Sequence, residues 1–379
     1  MKIERIDLIP ISIPLKRKIG TSFVTWEKVE YVISKIYTDD GIVGVGESTT
    51  WAPISRESQE TVMGILSRHL APLLIGENPF DIEKIWVKMD AAVPANGMAK
   101  ASLDLPLYDI LGKALNVPVY QLLGGKTVDA FPLTGLVGLG SIDQMIRETM
   151  SWVEAGYSGV RLKSGLGLRE DEEMIKQIRE AVGPKIRLRV DANQAYTTSM
   201  AIRVIKALEP YDVEIVEQPT VWYDFEGLAK VTASVHTAIL PHESLYSIYD
   251  AVQLDRMGAG NVYGLKAARP GGMTLAKKLA NYMELRNIPM FVCSAMGLAI
   301  SASAAAHFAT AFYKNIKFAC EISGPLGLED DIAELGFKIE NGMASVFDRP
   351  GYGLDLDEKR IKKYGGQVVT IQDRFIGPL

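Results

Sequence analysis

The sequence predicts an α/β fold: a modified (β/α)8 TIM-type barrel carrying an α+β capping domain. Three observations predict it. The first 127 residues carry hairpin and helix signals in no regular order. From about residue 130 a strand–helix alternation repeats every roughly 23–28 residues, the length of one compact βα unit. The β-like runs in that stretch number eight, enough to close a ring.

In chain order, residues 3–13, 29–39 and 42–47 alternate apolar and polar residues as strands do, and Asp40-Gly41 supplies the turn between the last two. Helical patterns follow near 57–70, 80–90 and 97–115. Pro106 should bend or break the third, because proline has no N–H to give to the helix. The barrel strands begin near 130, 158, 186, 213, 238, 261, 289 and 316. Amphipathic stretches such as EDEEMIKQIREAV and TLAKKLANYMELRN lie between them. An open doubly wound sheet would want a glycine-rich phosphate turn after its first strand. Gly138 and Gly140 stand there without a third glycine, and the GAGNVYG run at 258–264 precedes a strand. The expected division is a capping domain over 1–127, a barrel over 128–335 with its active site at the C-terminal strand ends, and a segment over 336–379 that returns to the capping domain.

The chain has 379 residues, a formal net charge of −5 and no block of Lys and Arg. Nucleic acid and anionic membrane surfaces therefore do not fit as partners. The N-terminus reads as a strand and not as a signal peptide, and no apolar run is long enough to span a membrane. The two cysteines, Cys293 and Cys320, sit far apart in apolar runs, which suits a reduced, cytoplasmic setting.

Active sites of such barrels lie at the C-terminal strand ends. Lys163 ends strand two, Asp191 strand three, Glu217 strand four, His242 and Glu243 strand five, and Lys266 strand six. Strands two and six face each other across an eight-strand ring, with strands three to five on the arc between them. The carboxylates thus cluster on one side with a lysine at each flank. Clustered carboxylates repel and call for a hard, oxygen-preferring cation such as Mg²⁺. A substrate carboxylate held there would lie between two lysines. A lysine becomes a base when burial and nearby cations lower its pKa.

The motifs that carry these residues are VRLKSG, VDANQAY, VEQP, HES, GLKAARPGG and CEISGPL. With them the chain resembles the enolase superfamily, in the muconate lactonizing enzyme (muconate cycloisomerase-like) subgroup, over nearly its whole length. The resemblance implies abstraction of the proton beside a carboxylate to give a metal-stabilised enolate, with Lys163 and Lys266 as acid/base groups. It also implies a homo-oligomer and a loop that covers the substrate. That loop is matched by residues 19–26, which makes Phe23 and Trp26 candidate substrate contacts; Asn193 and Glu321 are further candidates.

The sequence departs from the subgroup at three points. The usual Lys-x-Lys of strand two is Arg161-Leu162-Lys163, so Arg161 keeps the charge but cannot transfer protons. The usual Asp-Glu-Ser of strand five is His242-Glu243-Ser244. Either Glu243 or His242 could then complete the metal site with Asp191 and Glu217; Mg²⁺ prefers Glu243, while His242 would admit Mn²⁺ or Zn²⁺. The Asp-x-Asp with which dipeptide epimerases hold an α-ammonium is Glu321-Ile322-Ser323. The substrate expected is a small-molecule carboxylate, an N-substituted amino acid first among them, and the reaction racemisation or epimerisation. Cycloisomerisation and dehydration share the first step. A metal-independent Schiff-base lyase is the reading of another class, and the row of acids argues against it.

Overall fold

The computed structural model describes residues 1–20, 25–51, 55–294, 296–322 and 324–373. Three antiparallel strands open the chain: β1 (Ile3–Gly20), β2 (Thr25–Thr38) and β3 (Val43–Thr49). The turn before β3 places Gly41 at φ 80°, a left-handed position that glycine adopts without a Cβ clash. The loop expected over 19–26 is shorter than its sequence suggested. Ile19 pairs with Trp26 and Gly20 with Thr25, so strand pairing takes up both ends of that segment. Phe23 lies outside the described residues.

Helices cover one face of this sheet. Gln59–Ile65 continues through a π-helical turn at Leu66–Leu70 into Ala71–Leu74, and Ile82–Ala92 and Gly97–Ala114 follow. Pro106 does not break the last of these, which runs unbroken for 18 residues. The carbonyl of Ser102, which a residue-106 N–H would have bonded, accepts instead from the hydroxyl of Ser34 on β2. The ring of Pro106 faces Gly46, where any Cβ would come within 2.5 Å of it. The sheet thus supplies the missing donor and leaves room for the ring.

The barrel follows the βα period. After β4 (Phe131–Pro132), the strands β5 (Gly135–Val137), β6 (Gly159–Lys163), β7 (Arg187–Asp191), β8 (Val213–Glu217) and β9 (Ala238–Leu240) form one parallel sheet in chain order. β10 (Tyr263–Leu265) and β11 (Met290–Val292) form a parallel pair. The ring closes through isolated bonds. The N–H groups of Asn261 and Val262 donate to the Ile239 carbonyl between β9 and β10. The eighth position is reduced to parallel bridges that join Cys293 to Glu321 and Cys320 to Leu133. Apolar side chains of the strands, among them Val160, Leu162, Leu188, Val190 and Val216, are buried on the face opposite Lys163, Asp191 and Glu217. The last barrel helix is Ala299–Phe312, and a short 3₁₀ turn, Gly324–Gly327, follows the eighth position in place of an eighth helix.

The hairpin β12 (Phe337–Glu340) and β13 (Met343–Val346) then pairs with β4. Further on, β14 (Val369–Ile371) adds an antiparallel edge to β1. We propose domain boundaries at 127/128 and 335/336; of the last segment, β14 returns to the capping sheet, while β12 and β13 pair with β4.

The two layers are joined by buried polar bonds. Glu47 on β3 accepts from the backbone N–H groups of Leu298 and Ser301, and so caps the first turn of the barrel helix Ala299–Phe312. Asp104 of the helix Gly97–Ala114 accepts from both the N–H and the hydroxyl of Thr274. Among the described residues, no helix is long and apolar enough to cross a membrane.

Candidate active site

Register brings the charged residues together. Lys163, Asp191 and Glu217 are the last residues of β6, β7 and β8, and they are direct partners across the parallel ladder. Lys163 Nζ lies 2.6 Å from Oδ2 of Asp191 and also bonds the side-chain oxygen of Asn193. Asn193 in turn donates from Nδ2 to Glu243 at 2.9 Å, and its N–H bonds Oδ1 of Asp191. One side chain therefore spans from the strand-two lysine to the strand-five acid.

Arg161 occupies the middle of the acids. Its Nη1 is 2.5 Å from Asp191 and 3.2 Å from Glu217, and its Nε is 3.6 Å from Glu321. Burial opposes the charge of this guanidinium, but Glu321, Glu217 and Asp191 outweigh it and raise its pKa further. Burial likewise opposes ionisation of Glu217, yet His242, Arg161 and Lys163 beside it hold its carboxyl well below the usual range. Glu321 is held between Arg161 and Arg189, not at the Lys266 ammonium.

His242 and Glu243 leave β9 side by side, both buried. The Nδ1 of His242 meets Glu217, and Nε2 lies 3.6 Å from the Cys293 sulfur. Burial pushes the imidazole down to about 3, so the ring is neutral at pH 7. A neutral ring that donates from Nδ1 to Glu217 accepts at Nε2 from the thiol. Burial, with Asp191 and Glu217 nearby, pushes the Glu243 carboxyl up to about 7. Its Oε2 is buried without a partner among the described residues. Glu217, His242 and Glu243 present ligand atoms that all lie within 4.8 Å of one another, a grouping able to hold a metal ion.

Lys266 follows β10 on the other side of the ring. Its ammonium has no hydrogen-bond or ion-pair partner among the described residues, and burial next to Arg269 pushes its pKa down to about 8. Trp26 packs edge-on against Trp51, with centroids 4.8 Å apart. Of these two tryptophans it is Trp51 that lines the pocket beside Lys266.

Several working residues were not singled out from the sequence. Arg269 donates to the His242 carbonyl, and Arg56 donates to that of Glu243 at 2.8 Å, so both loop carbonyls are pinned by guanidinium groups. Gln218, with φ 38°, bonds the Thr220 carbonyl and exchanges bonds with Ser244, fixing the end of β8 to the loop after β9. Such left-handed non-glycine positions cost about 1–3 kcal/mol and persist where surrounding bonds enforce them. The VEQP and HES motifs contain both partners, but only the fold shows that they meet.

A capped barrel with a lysine on either side of a carboxylate cluster defines an isomerase that works at the carbon beside a carboxylate. Residues 6–124 match the mandelate racemase / muconate lactonizing enzyme N-terminal domain, and residues 144–360 match the enolase C-terminal domain-like family. The chain belongs to the enolase superfamily, in its muconate lactonizing enzyme-like subgroup. It is 32% identical to an N-succinyl-L-Arg/Lys racemase of Bacillus cereus over 96% of this chain and 98% of the racemase. The crystal structure of that Bacillus cereus racemase superposes with a TM-score of 0.94 at 31% identity, over 98% of this chain and all of the other. A hydrophobic dipeptide epimerase of Enterococcus faecalis is 36% identical over 90% of this chain and 95% of its own. A chloromuconate cycloisomerase of Cupriavidus necator is 33% identical over 96% and 99%.

Proposed function

We propose that the chain is a Mg²⁺-dependent racemase or epimerase of an N-substituted α-amino acid. The observation that carries this reading is the placement of Lys163 and Lys266 at the ends of the second and sixth strands of the ring, with the acids on the arc between them. Each face of a bound α-carbon then has its own proton carrier.

The residues fit a divalent cation. Glu243 has a buried oxygen without a partner among the described residues, and it presents ligand atoms within 4.8 Å of those of Glu217 and His242; Asp191, at the next strand end, is held by Arg161 and Lys163. Asp191, Glu217 and Glu243 are the proposed ligands. His242 is the alternative to Glu243, but both its ring nitrogens already face partners. Mg²⁺ held there supplies charge that favours the enolate form of the substrate over the neutral acid; Mn²⁺ accepts the same donors.

The chain's own residues do the rest. Lys266, whose pKa burial lowers to about 8, removes the α-proton from one face in its neutral form. Lys163 delivers a proton to the other, and the roles reverse for the opposite enantiomer. Asn193 and Arg161 position Lys163 through Asp191. The strand-eight segment Glu321-Ile322-Ser323 lacks the paired aspartates with which dipeptide epimerases hold an α-ammonium, which supports a substituted nitrogen. Two free, buried cysteines support a reducing, cytoplasmic setting. The exposed Trp222, Tyr223 and Tyr249 offer apolar surface for a homo-oligomer.

The test is proton NMR in D₂O with Mg²⁺ and a panel of N-substituted amino acids. Loss of the α-proton signal with inversion of configuration is the expected result. Conversion of a muconate to a lactone without any such exchange would instead favour cycloisomerisation, to which the likeness to chloromuconate cycloisomerases points.

A further inference from the structure

Arg56 has φ 62°, a left-handed position where glycine carries no strain and other residues do. It is exposed, so core packing does not demand an arginine there. Such an outlier points to work done by the side chain. The segment that follows it is anchored in the capping domain. Glu57 accepts from the N–H groups of Met98 and Ala99 at 2.9 and 3.2 Å, and Gln59 donates to the carbonyls of Ile11 and Tyr31.

The guanidinium of Arg56 leaves that domain. It lies between two barrel rings, 3.8 Å from the centroid of Trp222 after β8 and 4.0 Å from that of Tyr246 after β9. A flat cation between two aromatic faces is held by both. From there its Nη2 donates to the Glu243 carbonyl at 2.8 Å. Among the described residues this is the only hydrogen bond to the Glu243 backbone. The residues on either side are held from within the barrel, the His242 carbonyl by Arg269 and the Ser244 N–H by Gln218. One carboxylate oxygen of Glu243 accepts from Asn193, and the other is buried and unpaired among the described residues. A guanidinium that served only to join the domains would need the two rings and not this carbonyl.

We infer that Arg56 is a positioning residue for the metal site: across the domain boundary it fixes the Glu243 backbone, and with it the direction in which the carboxylate points. This rests on the reading of Glu243 as a metal ligand. Metal affinity then depends on contact between cap and barrel, although every proposed ligand belongs to the barrel. Groups that orient a ligand from behind typically carry about 10–100-fold in metal affinity.

Mn²⁺ binding to the full chain, followed by electron paramagnetic resonance, tests it. Arg56→Gly removes the side chain and leaves the turn unstrained, and it should weaken binding about tenfold. Arg56→Lys keeps the charge and a donor but not the flat group between the rings, and it should recover part of that loss. In a Glu243→Gln background, Arg56→Gly should change the affinity by less than about twofold, because residues that act through one another do not add. The inference is overturned if Arg56→Gly alone binds Mn²⁺ within about twofold of the parent. It is also overturned by a further loss of about tenfold in the Glu243→Gln background, since Arg56 would then act by another route. If Glu243→Gln alone leaves Mn²⁺ binding unchanged, Glu243 is not a ligand; that reading falls and takes the inference with it.

Discussion

Lys163 and Asp191 are register partners at the ends of adjacent strands, and the Nζ of the lysine lies 2.6 Å from Oδ2 of the aspartate. Arg161 reaches the same oxygen at 2.5 Å. The proposed base thus shares its counter-ion with a guanidinium that cannot lose its proton. That sharing ties the lysine of one face to the acids that would hold the cation.

Removing Arg161 should therefore be costly. Arg161→Ala leaves Asp191, Glu217 and Glu321 without their shared partner, and breaking a buried ion pair from one side costs about 3–5 kcal/mol. Urea denaturation of the metal-free protein should show a loss of that order, and a smaller one for Arg161→Lys. A change below about 1 kcal/mol for the alanine variant would mean that the acids are neutralised by other means.

The third metal ligand can be read from Mn²⁺ binding followed by electron paramagnetic resonance. Glu243→Gln should weaken binding by more than about tenfold. His242→Gln, which can still donate to Glu217, should change it by less than about threefold. The opposite order would make His242 the ligand.

Lys266 sets a pH dependence. As a base it must be neutral, and burial beside Arg269 places its pKa at about 8. For the enantiomer whose proton it removes, kcat/KM should rise about tenfold per pH unit below that value and level off above it. Measured α-proton exchange that stays flat between about pH 6 and 9 would contradict this assignment.

The barrel and the strand-end charges were legible because a charge that closes a short apolar run marks a strand end. Lys163, Asp191 and Glu217 each close such a run. The Asp40-Gly41 turn and the capping helices were legible from local patterns alone. Pro106 misled because the compensating donor, Ser34, is 68 residues before the carbonyl it serves. Gln218, Arg269 and Cys293 were passed over for a similar reason. Their partners, Ser244, the His242 carbonyl and the His242 ring, are met only when strands four to seven stand side by side. The choice between His242 and Glu243 depends on which way two adjacent side chains turn, which spacing does not encode.

The two-lysine assignment is tested most directly by α-proton exchange into D₂O from each enantiomer of one N-acyl amino acid, with Lys163→Ala and Lys266→Ala compared. Each variant should lose exchange from one enantiomer by about 10²–10⁴-fold, the usual cost of a positioned base, and retain exchange from the other, with the pattern reversed between them. Full exchange from both enantiomers in either variant would contradict the account.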